Sequence, residues 1–210
     1  MTYELNYVPN AKKLWNERYA RKEFVYGKQP NAFLKKYLEN ECPQTILFPS
    51  EGEGRNAVYA AKMGWEVHAV DFSETASQKA QNWALENKVQ INYQVADLAE
   101  WDTDLKFDCI ALIYAHYIPE LRTRLHRKFV SLLKPGGTII LESFSKKQTE
   151  YDTGGPGNPE MLYDIDTLKQ DFSELKIDFL QERVINLEEG EFHNGDASVM
   201  RMIAKKPLSE

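Results

Sequence analysis

The chain has 210 residues, a formal net charge of −6 and a hydrophobic fraction of 42%, which together are typical of a single domain with a sizeable core. No stretch approaches the roughly 20 apolar residues of a membrane span, the N-terminus has no apolar run of the signal-peptide type, and the acidic balance argues against nucleic acid as the main partner. The two cysteines and four histidines lack the spacing of metal ligands, so we expect no metal site, reduced thiols and a cytoplasmic location.

The first predicted elements are two helices and a loop between residues 11 and 37, rich in aromatic side chains and broken at Gly27 and Pro30. Beyond them, apolar strands alternate regularly with helices. The predicted strands are residues 45–49, 65–70, 91–95, 107–113 and 138–144, and the predicted helices between them are residues 55–63, 74–87 and 119–133. This alternation predicts a parallel sheet with right-handed crossovers and helices on both faces.

The pattern changes around the fifth strand. Residues 134–137, Lys-Pro-Gly-Gly, are predicted as a tight turn before this strand. Residues 145–159, after the strand, are predicted as a polar loop, and loops of this length in a compact domain are often functional. A short helix is predicted at residues 166–172. Two long strands follow at residues 175–187 and 197–206, joined by a turn around Asn194, Gly195 and Asp196. The predicted fold class is therefore α/β: a Rossmann-like three-layer sandwich with a mostly parallel, seven-stranded sheet and a C-terminal antiparallel hairpin.

A glycine-bearing turn follows the first strand, with the sequence Ser50-Glu51-Gly52-Glu53-Gly54, and Asp71 ends the second strand. Glycine allows the backbone to approach a ligand closely because it has no side chain. An acid at the end of the next strand is placed to accept hydrogen bonds from ribose hydroxyls. These features predict a nucleoside-cofactor site at the carboxyl edge of the sheet.

The charge of this turn helps to choose the cofactor. Glu51 and Glu53 would repel a pyrophosphate at the following helix N-terminus, whereas S-adenosylmethionine carries no phosphate. Residues 52–57 also fit the G-x-G-x-x-A dinucleotide pattern, so an NAD(P)-dependent oxidoreductase stays open as an alternative, although no Tyr-x-x-x-Lys pair follows the fourth strand. A second alternative is a non-catalytic module that binds S-adenosylmethionine.

The segment ILFPSEGEGRNAVYAAKMGWEVHAVDFS resembles the first motif and second strand of class I S-adenosylmethionine-dependent methyltransferases. The resemblance runs from WNERYARKEFVYGKQPNAFL to KPGGTIILESF, that is, from Trp15 to Phe144. It is greatest for the small bacterial branch related to tellurite-resistance and thiopurine methyltransferases. Within it EGEGRNA, Asp71, the Ala96-Asp97 pair and KPGG follow the family's order and spacing. The resemblance implies in-line transfer of a methyl group from S-adenosylmethionine to a small-molecule acceptor.

The resemblance also implies residue roles. The turn passes under the methionine part of the cofactor, Asp71 pairs with the ribose hydroxyls, and Asp97 accepts from the adenine amino group. The implied cofactor-binding residues are Tyr26, Ser50, Glu51, Gly52, Gly54, Arg55, Asn56, Asp71, Phe72, Ser73, Asp97, Leu98 and Tyr114. Phe48 and Pro49 depart from the family, which often has an acid in this region, and Ser50 replaces a glycine. Glu51 and backbone carbonyls therefore both remain candidates to hold the methionine ammonium.

Methyl transfer requires alignment of the reacting atoms, and it needs a general base only if the acceptor must lose a proton. His116 and Tyr114, after the fourth strand, are the candidate catalytic residues. In the resembling family the N-terminal segment folds over the cofactor as a lid. Trp15, Tyr19 and Tyr26 are candidate lid residues because aromatic faces stabilise a sulfonium, although the first two also fit a helix-spaced core.

A single methyltransferase domain is expected over residues 1–210. It comprises a helical lid segment at residues 1–40, a cofactor-binding core at residues 41–144, and a substrate-side loop and hairpin at residues 145–210. The expected partner is a small acceptor rather than nucleic acid or a membrane. The sequence indicates no oligomeric state.

Overall fold

The computed structural model describes residues 11–208, so the first part of the expected lid segment, residues 1–10, lies outside the described residues. A seven-stranded sheet in the order β3-β2-β1-β4-β5-β7-β6 forms its centre. The strands are β1 (Thr45–Pro49), β2 (Glu66–Asp71), β3 (Asn92–Val95), β4 (Phe107–Ile113), β5 (Leu133–Phe144), β6 (Lys176–Glu188) and β7 (Asn194–Lys205). Strands β1 to β5 pair in parallel, and β7 pairs antiparallel with both β5 and β6. The predicted fold class is confirmed.

The described helices cover both faces of this sheet, and three of them begin at a side-chain cap. They are α1 (Ala11–Tyr19), α2 (Ala32–Leu38), α3 (Arg55–Lys62), α4 (Glu74–Glu86), α5 (Pro119–Leu132) and α6 (Ile165–Asp171), with short 3₁₀ helices at Lys146–Glu150 and Pro159–Met161. Asn31 caps α2 by accepting from the N–H groups of Phe33 and Leu34. Ser73 caps α4 as predicted, because its hydroxyl oxygen accepts from the Ala76 N–H at 3.1 Å. None of the helices within residues 11–208 has the length and apolar character needed to cross a bilayer.

The core divides into two apolar layers because side chains along a strand point alternately to opposite faces. In β1, Leu47 packs into the layer that contains Phe129 of α5 and Phe172 beyond α6. Its neighbours Ile46 and Phe48 pack into the other layer with α2 and α3. A strand that is buried on both faces explains the continuous apolar runs in the sequence.

Two predicted turns differ from the structure. Asn194, Gly195 and Asp196 belong to β7, where they pair with Glu188, Leu187 and Asn186. The hairpin turn instead spans residues 189–193 and is closed by the Glu189 N–H, which donates to the His193 carbonyl at 2.8 Å.

The Lys-Pro-Gly-Gly segment lies inside β5 rather than before it. Leu133 pairs with Phe107, and the next pair joins Thr138 to Cys109, so the intervening residues bulge out of the ladder. Gly136 accommodates this bulge with a φ of +78°.

The chain bends sharply at the carboxyl edge of the sheet, directly after β1 and directly after β4. Ser50 after β1 and Tyr114 after β4 both have left-handed backbone conformations, with φ of 55° and 51°. Such conformations are uncommon for residues other than glycine and cluster at functional sites. The strand order also reverses between β1 and β4, which is where open α/β sheets bind their ligands.

Candidate active site

A cavity of about 560 Å³ lies along this carboxyl edge, within the usual size range of small-molecule sites. It is lined by α1, by the residues that follow β1 to β4, by residues 154–158 and by residues 192–193 of the hairpin turn. Many residues that the resemblance assigned to the cofactor line it: Tyr26, Ser50, Glu51, Arg55, Asn56, Asp71, Phe72, Asp97, Leu98 and Tyr114. Gly52, Gly54 and Ser73 are not part of the lining.

The turn after β1 keeps the shape of a glycine turn even though Ser50 stands at its start. Ser50 adopts the left-handed φ of 55° that glycine favours, and its hydroxyl lies 3.0 Å from the Tyr117 hydroxyl. Glu51 turns towards α3, where its Oε1 accepts from the N–H groups of Asn56 at 3.1 Å and Ala57 at 2.8 Å. The Oε2 atom of Glu51 has no hydrogen-bond partner within residues 11–208, so it remains available to a ligand in the cavity.

Burial raises the pKa of Glu51 to about 8, although the N–H donors of Ala57 and Asn56 and the charge of Arg55 oppose that rise. Glu53 is buried as well, with its carboxylate paired to Lys79. The two acids therefore do not both present a free negative charge to the ligand. The pyrophosphate-repulsion reasoning is therefore not supported near pH 7, because Glu53 is paired and a carboxyl with a pKa of about 8 is mainly neutral.

The two glycines shape the turn from behind. The Gly52 N–H donates to Asp71 Oδ2 at 3.0 Å, and a Cβ at Gly52 would lie 2.8 Å from the Tyr19 hydroxyl. Gly54 begins α3 with a φ of +88°, and a Cβ there would lie 2.7 Å from the Ala80 Cβ. Both glycines are thus required for close packing behind the turn, and their contact with the cofactor stays a prediction.

Asp71 links the turn to the second strand. It is only 7% exposed, and its Oδ1 accepts from the Ser73 N–H at 2.9 Å. Burial raises its pKa to about 6, against the lowering effect of the N–H groups of Ser73, Gly52 and Phe72. Each carboxylate oxygen has two lone pairs, so both retain capacity to accept from a ligand.

The other carboxyl-edge residues divide between the cavity and the interior. Asp97 lines the cavity beside Leu98, and its Oδ1 accepts from the Ala99 N–H at 2.9 Å. Ser73 is fully buried and donates to Asn16 Oδ1 at 2.6 Å. The Ser73 hydroxyl is therefore occupied by helix capping and by α1, and a contact of Ser73 with the cofactor stays a prediction.

The N-terminal segment covers one side of the cavity. Trp15, Tyr19 and Tyr26 all line it, and Trp15 stacks on Tyr19 at 5.3 Å between ring centroids. Arg18 was missed by the sequence analysis. It lies 4.7 Å from the Trp15 ring centroid and donates to the Tyr26 hydroxyl at 3.2 Å, and the signal for it was its position on the helix face shared by Trp15 and Tyr19.

Glu189 and His193 in the hairpin turn were also missed. Arg55 Nη2 donates to Glu189 Oε2 at 2.9 Å, across 134 positions of sequence, and His193 Nδ1 lies 3.3 Å from the same oxygen. Burial raises the pKa of Glu189, but the hydrogen bond from His193 and the charge of Arg55 outweigh this effect and lower the pKa to about 2. No local sequence pattern indicated this contact, because it depends on where the sheet places the hairpin.

The two predicted catalytic residues both line the cavity. The Tyr114 hydroxyl donates to Glu142 Oε1 at 3.1 Å, and burial raises its pKa well above the usual value. His116 Nδ1 lies 2.9 Å from the Met161 carbonyl and must donate to it, while Nε2 accepts from the Phe144 N–H at 3.2 Å. Burial lowers the pKa of His116 to about 4. With both nitrogens held by backbone, His116 has no free lone pair for a proton, and the geometry disfavours it as the base.

Residues 48–137 match the family model described as "Methyltransferase domain". The ubiquinone biosynthesis O-methyltransferase of Alkalilimnicola ehrlichii is 31% identical over 110 residues, which cover 50% of this chain and 44% of that protein. The chain thus spans about half the length of the curated relatives it matches. The chain is therefore similar to the methyltransferase family model over a segment of less than half of its length.

Solved structures of methyltransferases share the fold of this domain. TehB from Haemophilus influenzae is similar with a TM-score of 0.70 and 14% identity, covering 93% of this chain and 66% of that one. The N-methyltransferase NodS from Bradyrhizobium japonicum, in complex with S-adenosyl-L-homocysteine, gives a TM-score of 0.69 and 12% identity, covering 93% and 98%. The methyltransferase resemblance noted in the sequence is confirmed.

Proposed function

We propose that the protein transfers a methyl group from S-adenosylmethionine to a small-molecule acceptor. The observation that carries this proposal is a single cavity with two chemically different ends. Asp71 ends β2 and Asp97 follows β3 on one side of the sheet order, whereas Tyr114 follows β4 and Phe144 ends β5 on the other side, and all four line the cavity. A polar end suits an adenosine, and an apolar end suits an acceptor that must lie beside the cofactor's methyl group.

The residues present fit this cofactor. Asp71 would accept from the ribose hydroxyls and Asp97 from the adenine amino group, with the base between Phe72 and Leu98. The methionine tail carries one negative and one positive group. Arg18 lines the cavity and would pair with the tail carboxylate, while Glu51 Oε2 would accept from the ammonium.

When bound, S-adenosylmethionine supplies a methyl group on a positively charged sulfur. Residues of the chain would align the acceptor with that methyl group and exclude water. The aromatic faces of Trp15 and Tyr26 would favour the sulfonium electrostatically. Under this proposal residues 1–40 cover the cofactor, residues 41–144 bind it, and residues 145–210 supply the acceptor side.

The acceptor side favours an apolar molecule because apolar and aromatic side chains surround it. Phe144, Pro156, Met161 and Phe192 line it, and the curated relatives are named as O-methyltransferases. We therefore propose an aromatic acceptor of low molecular weight. A cytoplasmic location is part of the proposal and rests on the free thiols of Cys42 and Cys109.

Calorimetry with four ligands tests the cofactor. S-adenosylmethionine and its demethylated product should bind and raise the melting temperature, while NAD and NADP should do neither. Methyl transfer is then measured as release of S-adenosylhomocysteine with panels of phenols, thiols and amines. Stabilisation by the nicotinamide pair alone would refute the proposal, and binding without turnover on any class would favour the non-catalytic module.

A further inference from the structure

The hairpin turn brings an imidazole into the acceptor end of the cavity. The His193 ring lies 4.5 Å from the rings of both Tyr26 and Tyr114, measured between centroids, and 5.2 Å from the Phe144 ring. His193 is 6% exposed and lines the cavity. It is thus held in a mainly aromatic chamber where an apolar acceptor would sit.

One side of this ring is fixed by a carboxylate. Nδ1 lies 3.3 Å from Glu189 Oε2, and Glu189 is itself held by Arg55. Because the Glu189 carboxylate is ionised, Nδ1 carries the proton, and the neutral ring has its lone pair on Nε2. Burial lowers the pKa of His193, with Glu189 acting in the opposite direction, so the ring is neutral near pH 7.

The other side of the ring is free. Nε2 of His193 has no hydrogen-bond partner among residues 11–208, and Gly154 lets the backbone pack close to the ring edge, since a Cβ there would lie 2.9 Å from Cδ2 of His193. The other histidines differ. His116 is held at both nitrogens, His126 is fully buried against Asp171, and His68 pairs with Glu66 away from the cavity. Of the four histidines, His193 alone combines a place in the cavity lining with a ring nitrogen that has no hydrogen-bond partner among the described residues.

We propose that His193 is the general base of the methyl transfer, with Glu189 as its positioning residue, and that the acceptor is a protic aromatic molecule such as a phenol. This inference rests on the proposed function. In the step, the acceptor oxygen forms a bond to the methyl carbon, and the carbon–sulfur bond breaks with its electron pair going to sulfur. The acceptor proton moves to Nε2 of His193.

Several charged or titratable groups face the imidazole and bear on its pH dependence: Glu189 on the turn, Arg55 on α3, Glu142 on β5, Tyr26 on the N-terminal segment, and Tyr114 and His116 after β4. Glu189 is paired with Arg55, and Glu142 with Arg201. The two tyrosines have raised pKa values and stay neutral. Asp71 and Glu51, with pKa values of about 6 and 8, act on cofactor binding. An acid limb in kcat measured with saturating S-adenosylmethionine would therefore report His193.

The first test needs no turnover. Protein labelled with ¹⁵N-histidine and saturated with S-adenosylhomocysteine is studied by two-bond ¹H–¹⁵N correlation, with His193→Asn used to assign the signal. At pH 7.5 His193 should be neutral with the proton on Nδ1, and Glu189→Gln should lower its pKa. A proton on Nε2, or a charged ring at that pH, would overturn the inference.

The second test uses catechol and 4-nitrophenol as acceptors. His193→Asn keeps a donor towards Glu189 but has no base, so kcat with catechol should fall about 10² to 10⁴-fold and the acid limb should vanish. The loss should be smaller with 4-nitrophenol, which ionises more readily. Glu189→Gln should lower kcat, leave KM nearly unchanged and move the acid limb to lower pH. His68→Asn is the matched control and should behave as wild type.

The outcomes separate the two proposals. If the wild type binds no S-adenosylhomocysteine, the proposed function itself fails. If it binds the product but methylates neither probe, or if His193→Asn retains the wild-type rate with catechol, the inference about the base and the acceptor fails while cofactor binding stands.

Discussion

Lys79 on α4 clamps the N-terminal segment that covers the cavity. Its ammonium donates to the carbonyls of Tyr19 at 3.3 Å, Arg21 at 2.9 Å and Glu23 at 2.7 Å. It also pairs with Glu53, whose Oε2 accepts from the Val25 N–H at 2.7 Å. The side chains of Lys79 and Glu53 are 16% and 4% exposed, so water cannot readily replace a lost partner.

We predict that Lys79→Met destabilises the protein by about 3 kcal/mol. This is the low end of the roughly 3–5 kcal/mol cost of removing one member of a buried ion pair, because two of the three carbonyls are exposed and can bind water instead. Glu53→Gln should cost only about 1 kcal/mol, since glutamine still accepts from Val25 and Lys79 keeps its carbonyls. The double variant carries no unpaired charge and should cost about 2 kcal/mol rather than the sum of about 4.

Urea unfolding followed by tryptophan fluorescence measures these free energies, and calorimetry measures the affinity for S-adenosylhomocysteine. Lys79→Met should weaken that affinity as well, because Tyr19 and Tyr26 at the ends of the clamped segment line the cavity. Lys13→Met, which removes an exposed pair with Glu17, should change neither quantity. A cost below 1 kcal/mol for Lys79→Met, or strict additivity in the double variant, would refute the reasoning.

Three further predictions concern the turn after β1. Asp71→Ala should weaken S-adenosylhomocysteine binding at least tenfold and, because buried N–H groups lose their acceptor, also lower stability by about 1–3 kcal/mol; unchanged affinity in calorimetry would remove Asp71 from the site. The pKa of Glu51 is raised to about 8 in the folded protein, so the unfolded chain loses the Glu51 proton first and the contribution of Glu51 to stability falls as pH rises from about 4.5 to 8. Glu51→Gln should therefore gain stability relative to wild type between pH 5 and pH 8 in urea titrations. A stability difference that does not change with pH would contradict this. Gly54 has a φ of +88°, and a Cβ there would lie 2.7 Å from the Ala80 Cβ, so Gly54→Ala should lower the free energy of unfolding by more than about 1–2 kcal/mol. A Cβ at Gly157 would have nothing within 4 Å, so Gly157→Ala should leave stability unchanged. Equal melting temperatures of the two variants would show that the turn tolerates a side chain.

Much of the architecture was predictable because its signals act over a few residues. The apolar run of β4 (Phe107–Ile113) and the cap of α4 at Ser73 lie where the sequence placed them. Alternation of strands and helices then requires a parallel sheet, and the carboxyl ends of parallel strands meet at one edge. The convergence of Asp71 and Asp97 on the cavity follows from that rule.

Local sequence patterns gave wrong or incomplete predictions where the same residues can serve two structural roles. The Asn194-Gly195 pair is a strong hairpin signal, but the turn formed earlier because the five-residue loop at 189–193 is closed by its own backbone hydrogen bond. His116 was selected for its position behind β4, which the structure confirms. Whether His116 can accept a proton depends on Met161 and Phe144, whose backbone groups hold both ring nitrogens. Position in the sequence carries no information about such partners.

The sequence by itself determined the fold class, the glycine turn and the acids at the strand ends, because periodicity, capping and strand polarity are local properties. Tertiary structure alone decided which ionisable groups are paired and which are free. It joined Arg55 to Glu189 and His193 across the sheet and Lys79 to Glu53 beneath the N-terminal segment. Charge pairing is set by distances between remote parts of the chain, and those distances exist only after the sheet order has brought the hairpin and helices to the same edge.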